Sequence, residues 1–198
     1  MPSIIHIIEE RLGYPPLEKV DPNTQETKIE QFSGNSVRKL SQAAIPAVLI
    51  SMIRYFRNAA NTSNLSAVVT GKEWLNHLFG ERKQAVVNRI ASYAETDPEK
   101  TEMEMEKISN TVIDIIKEKV PEPTTEKIND FLGSENNNIL NHLPASMQLG
   151  QVLGDDSIDD RTHKMQGTVS TLLHKIEETF SKPTKTKDWP ITPDTPHN

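Results

Sequence analysis

The chain has no cysteine, which removes disulfides, thiolate nucleophiles and cysteine-ligated zinc together. Aromatic residues are scarce at 5%, so Leu, Ile, Val, Ala and Met must fill the core, and helix-on-helix packing suits them better than a β-sandwich. Positive charge is short as well. Against 28 Asp and Glu stand 22 Lys and Arg, a formal net charge of -6 with no sustained basic run, so nucleic acid is not an expected partner. Long apolar runs are missing too. The strongest, residues 43–56, falls below the roughly 20 residues a bilayer span requires and is closed by Arg54 and Arg57, so no transmembrane segment is expected. The opening MPSIIHIIEERLG lacks the basic n-region and apolar length of a signal peptide, and a cytoplasmic location is the expectation.

What remains is ordinary core material: 35% hydrophobic residues in 198 with a mean hydropathy of -0.55, enough for one or two small domains. Residues 36–60, SVRKLSQAAIPAVLISMIRYFRNAA, dominate. Val37, Leu40, Ala44, Val48, Met52 and Tyr55 form one helical stripe and Ile45, Leu49, Ile53 and Phe56 a second, which predicts a central helix with partners on more than one side. Pro46 lies inside it and cannot donate to the Gln42 carbonyl, so a kink, or two helices sharing a line, is predicted there.

Around this helix the punctuation is regular. Ile4, Ile5, Ile8 and Leu12 predict a short amphipathic helix over 3–12, stopped by Gly13 and the pair Pro15 and Pro16. Asp21-Pro22 opens a helix carrying Ile29 and Phe32, and Asp97-Pro98 opens another with the same cap and N1 pair. DPNTQETKIEQF and DPEKTEMEMEKI thus form a weak internal repeat. Residues 72–79 and 82–94 predict two helices separated at Gly80, and residues 66–70 a β-branched patch too short for a sheet. Beyond Pro121 and Pro123, residues 124–153 predict short helical pieces over 128–132 and 139–143, broken by Gly133, an Asn run and Pro144. Val169, Leu172, Leu173, Ile176 and Phe180 predict a last helix, and the Pro-, Thr- and Lys-rich residues 181–198 a disordered tail.

Ala43-Ala44-Ile45-Pro46-Ala47-Val48-Leu49, and then Leu78-Phe79-Gly80 followed by Gln84-Ala85-Val86-Val87 and Ile90, resemble the YidB-like bacterial family of unknown function over about residues 20–120. The resemblance implies a small helical protein built on a proline-containing apolar helix. It carries over no catalytic residues. This chain departs from the pattern in its few glycines, its charged linker at 99–107, and Asn110 or Thr111 where a second proline would stand.

Candidate chemistry gathers at DDSIDD. Asp155, Ser157 and Asp159 alternate as oxygen ligands for a hard cation would, which makes Asp155 and Asp159 the candidate metal ligands. A calcium loop needs Gly where Asp160 stands and a carboxylate where Gln166 stands, so a solvated acidic loop and no metal or other cofactor is the expectation. Asp159, Asp160 and His163, beside Arg161, are the candidate catalytic group, with a local salt-bridged loop as the plainer reading. The six histidines show no HxxxH or HExxH spacing, and GxSxG, P-loop and GxGxxG motifs are all missing.

The expectation is therefore an all-α protein: a helical core domain over 1–120, a helical C-terminal extension over 124–180 and a disordered tail over 181–198. Its expected role is non-enzymatic, binding another protein or a second copy through apolar helix faces, with no small-molecule ligand identifiable. An enzyme with a hydrolase-like site at 155–163 is one alternative. Peripheral membrane association through the N-terminal amphipathic helix is the other.

Overall fold

Every residue from 39 to 53 is buried, a run that a helix reaches only when neighbours enclose it on all sides. That helix, α2 (Ser36–Phe56), is the axis of the fold. The computed structural model describes residues 2–21, 26–28, 35–61, 65, 70–155 and 158, and among them all regular structure is helical, with no strand. α1 (Ile4–Leu12) precedes the axis. After it come α3 (Gly71–Phe79), α4 (Lys83–Ala94), α5 (Pro98–Lys119), α6 (Thr125–Leu140) and the short α7 (Leu149–Leu153). α2 packs against α1, α3, α4, α5 and α6, while α3 lies along α5 and α7 against α4. The described residues fall within the first of two units, residues 1–159.

The ends of these helices follow local chemistry. Ser3 accepts from the His6 N–H at the start of α1, and Gly13, at φ +67°, closes it. Thr70 and Glu73 form a reciprocal capping box on α3. Asp97 accepts from the N–H groups of Glu99 (2.7 Å) and Lys100 (3.3 Å) with Pro98 just behind it, so the Asp-Pro start of α5 is as expected from sequence.

Two expectations are corrected, and of the kink or two helices expected at Pro46 the second is excluded. Pro46 sits within one continuous α2 and does not divide it into two helices; burial of the surrounding turns offsets the missing hydrogen bond, a cost of about 3 kcal/mol in an unsupported helix. Residues 125–140 form one helix through Gly133 and the Asn run, where separate pieces were expected. The helix penalty of Gly and Asn is about 1 kcal/mol or less per residue, and burial of Ile128, Leu132 and Ile139 outweighs it. Val37, expected on the buried stripe, is 49% exposed in the first turn of α2. The helix at Asp21-Pro22, the first copy of the repeat, the patch at 66–70, the helix ending at Phe180 and the tail lie largely or wholly outside the described residues.

One close approach fixes how α3 sits on α5. A Cβ on buried Gly71 would overlap the main-chain carbonyl of Glu106, which belongs to the α5 backbone and cannot rotate away. Gly71→Ala is expected to destabilise the protein by about 1 to 3 kcal/mol through overpacking, read as a lower urea midpoint at unchanged m-value. An unchanged midpoint would show that the two helices are not in this contact.

Candidate functional site

The last turns of α2 carry Ser51, Arg54 and Tyr55, which the i, i+3, i+4 spacing places on one face. α3 ends opposite them with His77, Leu78 and Phe79. At Gly80 the backbone takes φ +52° and ψ -131°, a region open essentially to glycine, and the chain turns into a single 3-10 turn, Gly80–Arg82. That turn brings Glu81 and Arg82 to the same opening, and Leu153 of α7 closes the remaining side. The result is a cleft of about 520 Å³.

One wall is aromatic. The Tyr55 ring meets Trp74 edge-on at 5.8 Å and Phe56 at 5.3 Å, and the His77 imidazole lies 6.0 Å from Tyr55 and 6.2 Å from Trp74. The facing polar groups differ in how they are held. Arg54 Nε lies 3.3 Å from Asp155 Oδ2, and the Asp155 N–H donates to the Gly150 carbonyl, so this arginine is partly neutralised. Arg82 is exposed and has no hydrogen bond or ion pair among the described residues. Its guanidinium rests on Gly154, at φ +64°, where a Cβ would come within 2.7 Å of Nη1 and 2.8 Å of Nη2. Ser51 is 3% exposed, and its Oγ has no hydrogen-bond partner. Such an orphaned hydroxyl costs about 1 to 3 kcal/mol unless something else satisfies it.

Of the residues singled out from sequence, Asp155 is described and serves as the Arg54 partner, while Asp159, Asp160 and His163 lie outside the described residues. Among the described residues no group of three or more His, Asp or Glu is placed to hold a metal ion. Tyr55, Arg54 and the stretch from Leu78 to Gly80 were noted in the sequence for other reasons, but not as one site, because the cleft draws on α2, α3, the 3-10 turn and α7. The only local signal was the Ser51, Arg54, Tyr55 spacing.

Displaced protonation is found away from the cleft, where the Tyr14 hydroxyl donates to Glu104 Oε2 at 2.6 Å and Lys107 Nζ donates to Oε1 at 2.7 Å. Burial, then the bond to Glu104, pushes the Tyr14 hydroxyl above the usual phenol range. For Glu104 burial acts upward, but the bonds from Lys107 and Tyr14 together outweigh it and hold the carboxyl below its ordinary value. A depressed carboxyl adds stability above its unfolded-state value and loses it as pH falls through the folded one. Tyr14→Phe is therefore expected to cost about 1 to 2 kcal/mol at neutral pH, and the difference from wild type should shrink in urea titrations below about pH 4.5. A difference independent of pH would contradict this pairing.

Compared with protein-family models, with curated proteins and with solved structures, the chain finds no match.

Proposed function

We propose that the chain is a cytoplasmic, non-enzymatic binding protein that receives its ligand in the cleft between the end of α2, the α3 turn and α7. The observation that carries this reading is the cleft itself. Its volume of about 520 Å³ lies in the range of small-ligand sites, and its lining sets Tyr55, Leu78, Phe79 and Leu153 beside the polar Ser51, Arg54, His77, Glu81 and Arg82. His77 is packed against the rings of Tyr55 and Trp74, which suits an aromatic wall better than a proton relay, where a base needs an orienting partner.

Docking through an apolar helix face has less support. The Ile4, Ile5 and Ile8 face of α1 is buried in the protein's own core, and among the described residues the large apolar side chains left exposed are Val37 and Met103. The same burial removes the face by which α1 would enter a membrane surface. Among the described residues no helix is long and apolar enough to cross a membrane.

The test is a set of NMR titrations of the labelled protein with anionic, neutral and cationic small molecules at millimolar concentration. Amide shifts confined to residues 51–55, 77–82 and 150–155 with at least one compound are expected. Shifts only elsewhere, or none, would overturn the assignment of this cleft.

A further inference from the structure

We propose that the ligand of this cleft is a small molecule joining one oxyanion, a phosphate or a carboxylate, to a flat ring, with Arg82 as its principal contact. This rests on the cleft being the binding site, and it adds the chemistry of the occupant. Arg82 supplies the first argument. Its planar guanidinium is seated on the Gly154 backbone, where the lack of a Cβ leaves it room, yet no carboxylate or carbonyl among the described residues takes its donors. A planar guanidinium with its N–H groups unspent is suited to bidentate capture of an oxyanion.

Ser51 also borders the cleft but adds no contact to a ligand, because its Oγ itself has under 1 Å² of exposed surface. The other charges around the cleft limit how much anion it tolerates. Arg54 is shared with Asp155, and exposed Glu81 stands beside Arg82 in the same turn. One unpaired arginine with a carboxylate lining the same cleft favours a single anionic group over a polyphosphate or a nucleic acid backbone.

The ring requirement comes from the wall. Tyr55, His77 and Leu78 present flat and apolar surface beside the arginine, and a phosphate alone would leave most of the 520 Å³ filled with water. A ring stacked there removes apolar surface from water while the anionic group stays at the mouth with Arg82.

The test uses phenyl phosphate, benzoate, inorganic phosphate and the neutral benzyl alcohol as probes, titrated by NMR into the full chain. Phenyl phosphate or benzoate should shift the amides of Gly80, Glu81, Arg82 and Gly154 and bind more tightly than inorganic phosphate. Benzyl alcohol should bind more weakly than either ring anion. Arg82→Ala should weaken the ring anions about tenfold or more, Arg82→Lys less, and Arg89→Ala not at all, with melting temperatures recorded to confirm folding. Raising the salt concentration should weaken binding, since Arg82 is exposed. If benzyl alcohol binds in the cleft as tightly as the anions, or Arg82→Ala leaves their affinity unchanged, the ligand class is wrong while the cleft stands as a binding site. Equal binding of inorganic phosphate and phenyl phosphate overturns the ring. If no compound of any charge perturbs the cleft, both readings fall.

Discussion

Replacing Gln42 by alanine is expected to cost about 3 to 5 kcal/mol of folding stability, more than its size suggests, because it strands one buried and two part-buried main-chain groups at once. Gln42 is fully buried on α2. Its Oε1 accepts from the Glu18 N–H at 2.8 Å, and its Nε2 donates to the Glu18 carbonyl at 2.9 Å and to the His142 carbonyl at 2.6 Å. One side chain thus ties the extended segment after α1 and the turn after α6 to the central helix. Removing it leaves a donor and two acceptors without that partner and opens a cavity that polar groups line. Urea denaturation with far-UV detection would read the loss as a lower midpoint. Ser41→Ala is the control, since Ser41 is also buried but its hydroxyl bonds only to the Arg38 carbonyl one turn back. A Gln42→Ala cost no larger than that of Ser41→Ala would mean that Gln42 does not hold these segments.

The second large effect is expected at Leu49, which lies mid-helix in α2 with no exposed surface. Leu49→Ala should destabilise by about 2 to 5 kcal/mol, the transfer cost of the lost methyl groups plus that of a cavity whose walls relax only partly. The upper part of the range fits this site, because α2 is held by neighbours all round and none can collapse inward alone. A loss under about 0.5 kcal/mol, the scale of a surface substitution, would show that α2 is not the core.

The all-α class and the place of α2 were legible because composition and period agree there: residues 43–53 are apolar nearly all round, and only a helix inside a bundle buries such a segment. Asp97-Pro98 was legible because a cap acts within four residues. The continuity of α6 was not, since Gly133 and the Asn run argue locally for breaks, and the burial of Ile128, Leu132 and Ile139 that overrides them depends on packing. The candidate site was the least legible part. DDSIDD is the densest polar cluster in the sequence, yet Asp155, its described carboxylate, is a partner for Arg54. Arg54 read as a charge ending an apolar run, and nothing around Arg82 singled it out. Leu78-Phe79-Gly80, one of the stretches behind the YidB-like resemblance, lines the cleft, but the sequence held no sign that the turn at Gly80 would face α2 and α7.

The most direct measurement on the central claim, that the junction of α2, α3 and α7 binds an oxyanion joined to a flat ring, is a crystal structure of the protein soaked with phenyl phosphate. The predicted result places the phosphoryl group within hydrogen-bond distance of the Arg82 guanidinium and the ring against Tyr55 and His77. Phenyl phosphate bound at another surface, or an unoccupied cleft at a concentration that saturates the protein in solution, would contradict it.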